Sequence, residues 1–330
     1  VTVQDVADAA GTSRGSVGRV LRGDGYVSAQ AREAIEAAIE RTGYVPSASA
    51  RNLVMRRTQA VAVILREPLA LFVEDSNLGT VLLGVNSALA AADHQMLLLV
   101  IDSSDDVTRV ARHVGGGIAD GVIMFSPEAD DEVTRVIRRQ RIPAAIFGTG
   151  RELDLPHATF VRTDNRAASR AMVERLRANR SRVAMIRSTL GDEWAQERFA
   201  GYREALGEDF DDELVESVGF FTASEGAAAM ERLLQRRPDV DGVFGAVDAI
   251  AAGALGALQA HGRRVPHDVG VVGFDDSVWA ARTDPPLSTV RQPAREMGAA
   301  AAEAVLAAIA GEPASRELLL ESMIVWRESA

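Results

Sequence analysis

Few side chains in this sequence have the types and spacing for chemistry, and most of them lie near its start. Arg14-Gly-Ser-Val-Gly-Arg19 and Arg22 put three guanidinium groups and the Ser16 hydroxyl within nine residues. An Arg fork can donate two hydrogen bonds to a guanine edge, and Ser suits phosphate oxygens. Further on, Asp275-Asp276 is a carboxylate pair at the end of an apolar run. Adjacent carboxylates there bind hydroxyls or cap turns more readily than they share a proton. Five His (94, 113, 157, 261, 267) are scattered without metal-ligand spacing, and there is no Cys. Thiol chemistry and Cys-based zinc sites are therefore excluded. Gly115-Gly-Gly117 follows a helical pattern and precedes a strand, so it reads as a helix stop, not a phosphate cradle. No metal and no cofactor is expected.

The Arg cluster needs a scaffold, and the flanking residues predict one. Thr2 caps a first helix, with Asp5 at the capping-box position and Val6, Ala9 and Ala10 as its apolar stripe. Gly11 and Thr12 break it. Ser13 caps a second helix with Val17, Val20 and Leu21 inward, which leaves Arg14, Gly15, Ser16, Gly18, Arg19 and Arg22 outward. Ser28 caps a third helix carrying Ile35, Ala38 and Ile39, and Gly43 ends it. A small residue at Ala7, Gly11 four later and Val17 six after that match helix-turn-helix spacing. The plain alternative is a generic three-helix bundle. The outward Arg and Ser favour DNA.

Charge divides the chain in the same place. All 36 basic residues are Arg. Residues 1–58 hold 8 Arg against 6 acids, and the remainder holds 28 against 41. A basic end on an acidic body suits a protein whose end alone meets a polyanion. The start has no basic segment followed by an apolar stretch, and the longest apolar runs are strand-length, so a cytoplasmic location is expected.

Pro46 marks a boundary, and Ser47 can cap a helix of barely two turns, too short to be stable alone. From residue 60 strands alternate with helices. Strands are legible at 61–65, 96–101, 120–125, 143–147, 182–187, 241–246 and 268–274, and helices at 78–92, 165–178, 192–206, 223–236 and 293–310. This alternation predicts an α/β body of two doubly wound parallel-sheet lobes with a ligand cleft between them. The expected division is a helix-turn-helix domain at 1–45, a hinge helix or linker at 46–58, and an effector-binding and dimerisation domain at 59–330. Its first lobe would take about 59–159 and 291–317, and its second about 160–290 and 318–330.

Thr2-Val-Gln-Asp-Val-Ala-Asp-Ala-Ala-Gly11, Ser16-Val-Gly-Arg-Val-Leu21, Val27-Ser28 and Gly43-Tyr-Val-Pro46 resemble the lactose/galactose-repressor (LacI/GalR) family. Asp164-Asn165, Glu197-Arg-Phe-Ala-Gly-Tyr202, Val271-Val-Gly-Phe-Asp-Asp276 and Pro286-Leu-Ser-Thr-Val-Arg-Gln292 resemble its body landmarks, in order. The resemblance implies a homodimeric transcriptional regulator, a repressor by default, on a palindromic double-stranded operator, with a periplasmic-binding-protein-like body and a sugar-like effector. It places Arg14, Gly15 and Arg19 toward bases, Ser13, Ser16 and Ser28 toward phosphates, and Ala50 and Leu53 as minor-groove wedges. Thr2, Arg22 and Arg51 complete the expected DNA-facing set.

In the body the resemblance assigns Arg198 and Asp275 to sugar hydroxyls and Phe221 to ring stacking. Phe72, Asp102, Phe125, Trp194 and Gln292 are further cleft candidates. Three residues depart from the family pattern. Gly15 lacks a base-reading side chain, Gly18 replaces a Ser, and Val247 stands where many relatives carry a ligand-binding Asn. The rival function is a transporter's solute-binding protein, which needs export and has no use for a DNA headpiece. A family member that activates instead of repressing is a second alternative. No apolar heptad tail follows Trp326, so a dimer is expected and a coiled-coil tetramer is not.

Overall fold

The structure is a computed structural model that describes residues 1–22, 25–44, 57–66, 76–149, 153–189, 193–313 and 315–330; of Arg22 and Ser76 only the backbone is described. Contacts divide the chain into two units, Val1–Thr58 and Gln59–Ala330. The expected hinge helix falls almost entirely outside the described residues.

The first unit holds helices α1 (Val3–Ala9), α2 (Arg14–Arg22) and α3 (Ala29–Thr42). The capping box forms: Asp5 N–H donates to Thr2 Oγ1 at 3.3 Å, and Thr2 N–H donates to Asp5 Oδ2 at 2.7 Å. Ser13 Oγ accepts from Ser16 N–H at 3.2 Å and Ser28 Oγ from Ala31 N–H at 3.3 Å. Gly11 and Gly43 both take a left-handed backbone at φ +63°, which is why the two breaks carry glycine. Val6, Ala7, Val17, Ile35, Ala38 and Tyr44 make the core. Ala9, expected in the apolar stripe, is exposed instead. The buried face of α1 runs through Val6 and Ala7, and Ala9 contributes its carbonyl, which accepts from Arg41 at 2.8 Å.

The second unit contains two parallel sheets. The first has strand order β11-β5-β4-β3-β1-β2: Glu317–Leu320, Ala158–Thr163, Ala144–Phe147, Gly121–Met124, Ala60–Leu65 and Gln95–Val100. Every residue of Ala60-Val-Ala-Val-Ile-Leu65 is buried, as a central strand covered on both faces requires. Helices α4 (Ser76–Ala91), α5 (Ser104–Gly115), α6 (Glu132–Gln140) and α12 (Ala294–Ala310) belong to this lobe. The second sheet has order β7-β6-β8-β9: Val215–Val218, Val183–Ser188, Gly242–Gly245 and Gly270–Val272. Its helices are α7 (Asn165–Arg177), α8 (Glu193–Leu206), α9 (Ala223–Arg236), α10 (Asp248–Ala260) and α11 (Val278–Arg282).

Two helix pairs meet backbone to backbone through a glycine on each partner. A Cβ on Gly84 of α4 would lie 2.0 Å from the Arg295 carbonyl oxygen, and one on Gly298 of α12 would lie 2.0 Å from that of Val81. Gly226 of α9 and Gly253 of α10 do the same, at 2.3 Å from Ile250 O and 1.9 Å from Ala223 O. No side chain fits at either crossing.

The chain changes lobes three times, after Thr163, after Arg291 and after Leu320. Two of these changes lie beyond the expected 159 and 317, because β5 and β11 pair with each other in the first sheet. Strands β10 (Thr289–Arg291) and β12 (Met323–Val325) pair antiparallel beside β9 and form the second and third crossings. Among the described residues no helix is long and apolar enough to cross a membrane.

Candidate functional site

In the first unit, α2 presents Arg14, Gly15 and Arg19 to solvent and Ser16 partly so, with Val17 buried behind them. No acid lies on this helix. Its first turn carries Arg14 at the positive end of the helix dipole, an arrangement that favours an incoming anion. Ser13 and Ser16 hydroxyls lie 3.1 Å apart, so each can still accept or donate outward. Thr2 and Ser28 are exposed at the starts of α1 and α3, where their hydroxyls serve as caps.

Tyr26 is a residue that sequence reasoning missed. It is 89% exposed, beside Gly25, whose φ is +70°. A Cβ on Gly25 would sit 3.1 Å from Arg19 Cδ, so the Arg19 stem rests on the glycine next to Tyr26 in the chain. The available signal was an aromatic between a turn glycine and the inward Val27. Ala50, Arg51 and Leu53 lie outside the described residues.

In the second unit the chemistry gathers where the lobes cross. Helix α8 carries Glu193, Trp194, Glu197 and Arg198, one face repeated at i and i+4. Arg198 is 3% exposed. Its Nε donates to Asn165 Oδ1 at 3.0 Å, Nη1 to the Ala246 carbonyl at 2.6 Å, and Nη2 to Asp275 Oδ1 at 3.1 Å. The guanidinium lies 4.6 Å from the Trp194 ring centroid and 3.6 Å from that of Phe274. A planar delocalised cation can lie against both rings while its in-plane N–H groups keep their hydrogen bonds, which a compact ammonium cannot do.

Asp275 Oδ1 also accepts from Gln292 Nε2 at 2.7 Å, and Gln292 Oε1 accepts from Thr163 Oγ1 at 3.1 Å. Asp275 takes φ +110° and Asp276 φ +55°, an uncommon backbone for side-chain-bearing residues. Surrounding bonds hold it: Asp275 N–H reaches the Val290 carbonyl at 2.8 Å, and Asp276 bonds Arg291 and Arg327 at 2.6 Å each. Beneath this loop Asp248 is wholly buried and accepts from Thr289 Oγ1 at 2.6 Å and Ser277 N–H at 2.7 Å. Burial, then the Asp275 charge, push its pKa up to about 8. Glu197, half-buried against Asn165, is also held above the usual carboxylate range by burial. A cavity of about 250 Å³ opens against Asp275, Gln292 and Arg291, bounded across the cleft by Asn77 and Thr80 of α4.

Arg198, Asp275, Gln292 and Trp194 thus stand together. Phe221 joins them through Trp194, edge-on at 6.0 Å between centroids, and is itself 5% exposed. Phe125 lies on the first lobe, stacked at 4.3 Å on Phe147, a neighbour found only once β3 and β4 are known to be adjacent. Asp102 stands apart, exposed at the end of edge strand β2, with its N–H bonded to Asp106 at the start of α5. Phe72 lies outside the described residues. Asn165, Asp248, Thr163 and Glu193 were not among the expected site residues. Each acts through a partner distant in sequence. Among the described residues no group of three or more His, Asp or Glu side chains has the geometry to hold a metal ion.

Residues 2–47 match the family model for bacterial regulatory proteins of the lacI family, and residues 173–330 match that for a periplasmic binding protein-like domain. The chain is similar to the HTH-type transcriptional regulator CelR of Thermobifida fusca, 40% identical across 99% of this chain and 98% of that one. It is 30% identical to AscG of Escherichia coli (strain K12), a further HTH-type transcriptional regulator, over 90% of this chain and 88% of that one. Among solved structures it resembles a complex of CelR with cellobiose, at 36% identity and TM-score 0.77 with both chains fully covered. The headpiece match sets aside a transporter's solute-binding protein. The chain belongs to the LacI family of bacterial regulatory proteins: it is a sequence-specific DNA-binding transcriptional regulator, not an enzyme.

Proposed function

We propose that this regulator is a cytoplasmic homodimeric repressor released from its operator by a small β-linked sugar held in the interlobe cleft. The observation that carries the sugar reading is the Arg198–Asp275–Gln292 group beside the Trp194 indole. A fixed carboxylate oriented by two donors suits vicinal hydroxyls, and an aromatic face suits the C–H face of a pyranose. Likeness to a relative solved with cellobiose supports a disaccharide. Val247, standing in place of an amide, favours a ligand that turns an apolar face to that wall.

Exposed Leu83 on α4 and Leu98 on edge strand β2 support self-association through the first lobe, and one headpiece reads too few base pairs for useful specificity. Arg14 and Arg19 read bases, Ser13, Ser16 and Ser28 hold phosphates, and Ala50 and Leu53 wedge the operator centre. Effector binding changes the lobe angle and how readily the hinges pair, and this coupling is reciprocal.

The test is calorimetric titration of the full chain with cellobiose, glucose and adenine, paired with a mobility shift on DNA upstream of its own gene. Cellobiose binding that weakens the DNA complex at least tenfold supports the reading. Adenine binding with no response to either sugar overturns it.

A further inference from the structure

We infer that Glu193 and Thr149 form a clasp across the effector cleft that holds the lobes closed before any ligand arrives. Thr149 follows β4 of the first lobe by two residues, and Glu193 opens α8 of the second. The Thr149 N–H donates to Glu193 Oε2 at 2.7 Å, and the Thr149 hydroxyl donates to Oε1. One carboxylate thus grips one residue of the opposite lobe with both oxygens. Hydrogen bonds to an ionised acceptor are about twice as strong as neutral ones.

Two further features build the contact in. Gly148 takes φ +123°, and a Cβ there would lie 3.0 Å from Glu193 Oε2, so the approach needs a glycine beside Thr149. Glu193 is also the first residue of a 14-residue helix, where an acid is favoured by the backbone dipole. The clasp uses neither Arg198 nor Asp275. It sits one turn from Glu197, on the face of α8 that carries the effector-facing groups.

The consequence is a population effect. A ligand that needs the closed body has its dissociation constant divided by the closed fraction, so a smaller fraction weakens binding, and the clasp raises that fraction. Breaking it opens the ligand-free body and weakens effector binding while leaving Arg198 and Asp275 in place.

The chain has no Cys, so labels can be placed cleanly at Asp105→Cys on α5 and Glu231→Cys on α9, both exposed. Pulsed electron–electron resonance between nitroxides on the full ligand-free chain reads the lobe separation. Glu193→Ala and Thr149→Val should each move the distribution to longer, broader distances. Glu193→Gln, which can still accept from the Thr149 N–H and bond its hydroxyl, should stay near wild type. With cellobiose as the probe, the Kd of Glu193→Ala should rise about five- to tenfold. Folded Glu193→Ala and Thr149→Val proteins with the wild-type distance distribution overturn the clasp. That readout stands even if cellobiose proves not to bind.

Discussion

Gln292 donates to the same oxygen of Asp275 that Arg198 grips, at 2.7 Å against 3.1 Å. Gln292 lies just past the Arg291 crossing, and Asp275 belongs to the second lobe. The bond therefore ties a ligand-facing carboxylate to the connection between lobes. Gln292→Ala should leave thermal stability within a few degrees of wild type while weakening effector binding at least tenfold and reducing the DNA response. Calorimetry and mobility shifts on one preparation separate the two effects.

Arg198 is a different case, because it is buried. Truncating it leaves Asp275 with a lost partner and opens space between Trp194 and Phe274. Arg198→Ala should cost about 3–5 kcal/mol of stability, as removing one member of a buried charged pair does. Urea unfolding checks it. A loss below about 1 kcal/mol would show that the pair contributes little to folding.

Asp248 makes stability depend on pH. Its folded pKa of about 8 lies above the ordinary value of 3.8, so between these the folded chain keeps a proton that the unfolded chain has released. Its contribution is full below about pH 4 and is lost as pH rises through about 8, with a slope of up to about 1.4 kcal/mol per pH unit. Asp248→Asn should flatten the decline of stability between pH 5 and 8. Equal slopes in the two proteins would contradict the assignment.

The glycine crossings predict opposite outcomes for one type of substitution. Gly298→Ala forces a Cβ onto the Val81 carbonyl and should destabilise by about 1–3 kcal/mol. Gly256→Ala, within α10 with nothing within 4 Å of the added carbon, should stabilise by about 0.5–1 kcal/mol. Thermal melts of both variants decide it.

On the headpiece, Gly15 has room for a side chain, its nearest foreign atom being Ser13 Oγ at 3.6 Å. Gly15→Asn should therefore fold and change the preferred base at one operator position. Tyr26→Ala should weaken operator binding about tenfold without changing the headpiece melt. Selection from randomised operators reads the first change, and a titration at fixed salt reads the second.

Local signals were legible and long-range ones were not. The caps at Thr2, Ser13 and Ser28 and the turns at Gly11 and Gly43 were readable because each is settled within a few residues. Long, uniformly apolar strands such as 61–65 stood out, whereas β10 and β12 have only three residues each and no pattern to read. β5 was missed because Arg162 and two threonines interrupt its apolar run. Arg198 and Asp275 were found by resemblance to a family. Gln292, which supports Asp275, was among the cleft candidates, but Asn165 and Asp248 were not, because Asn165 meets Arg198 across 33 positions of sequence and Asp248 is tied to this loop through Thr289 and Ser277. Glu193 and Phe147 become informative only when the opposite lobe or the neighbouring strand is in place.

The ladder joining β10 to β12 limits how the body can move. Thr289, Val290 and Arg291 face Val325, Ile324 and Met323, so two of the three crossings form a single leaf. Thr163, at the first crossing, is bonded to the same leaf through Gln292. A leaf fastened along one edge swings but resists sliding. The lobes are thereby left with one soft coordinate, and any ligand in the cleft can report only its position along that swing.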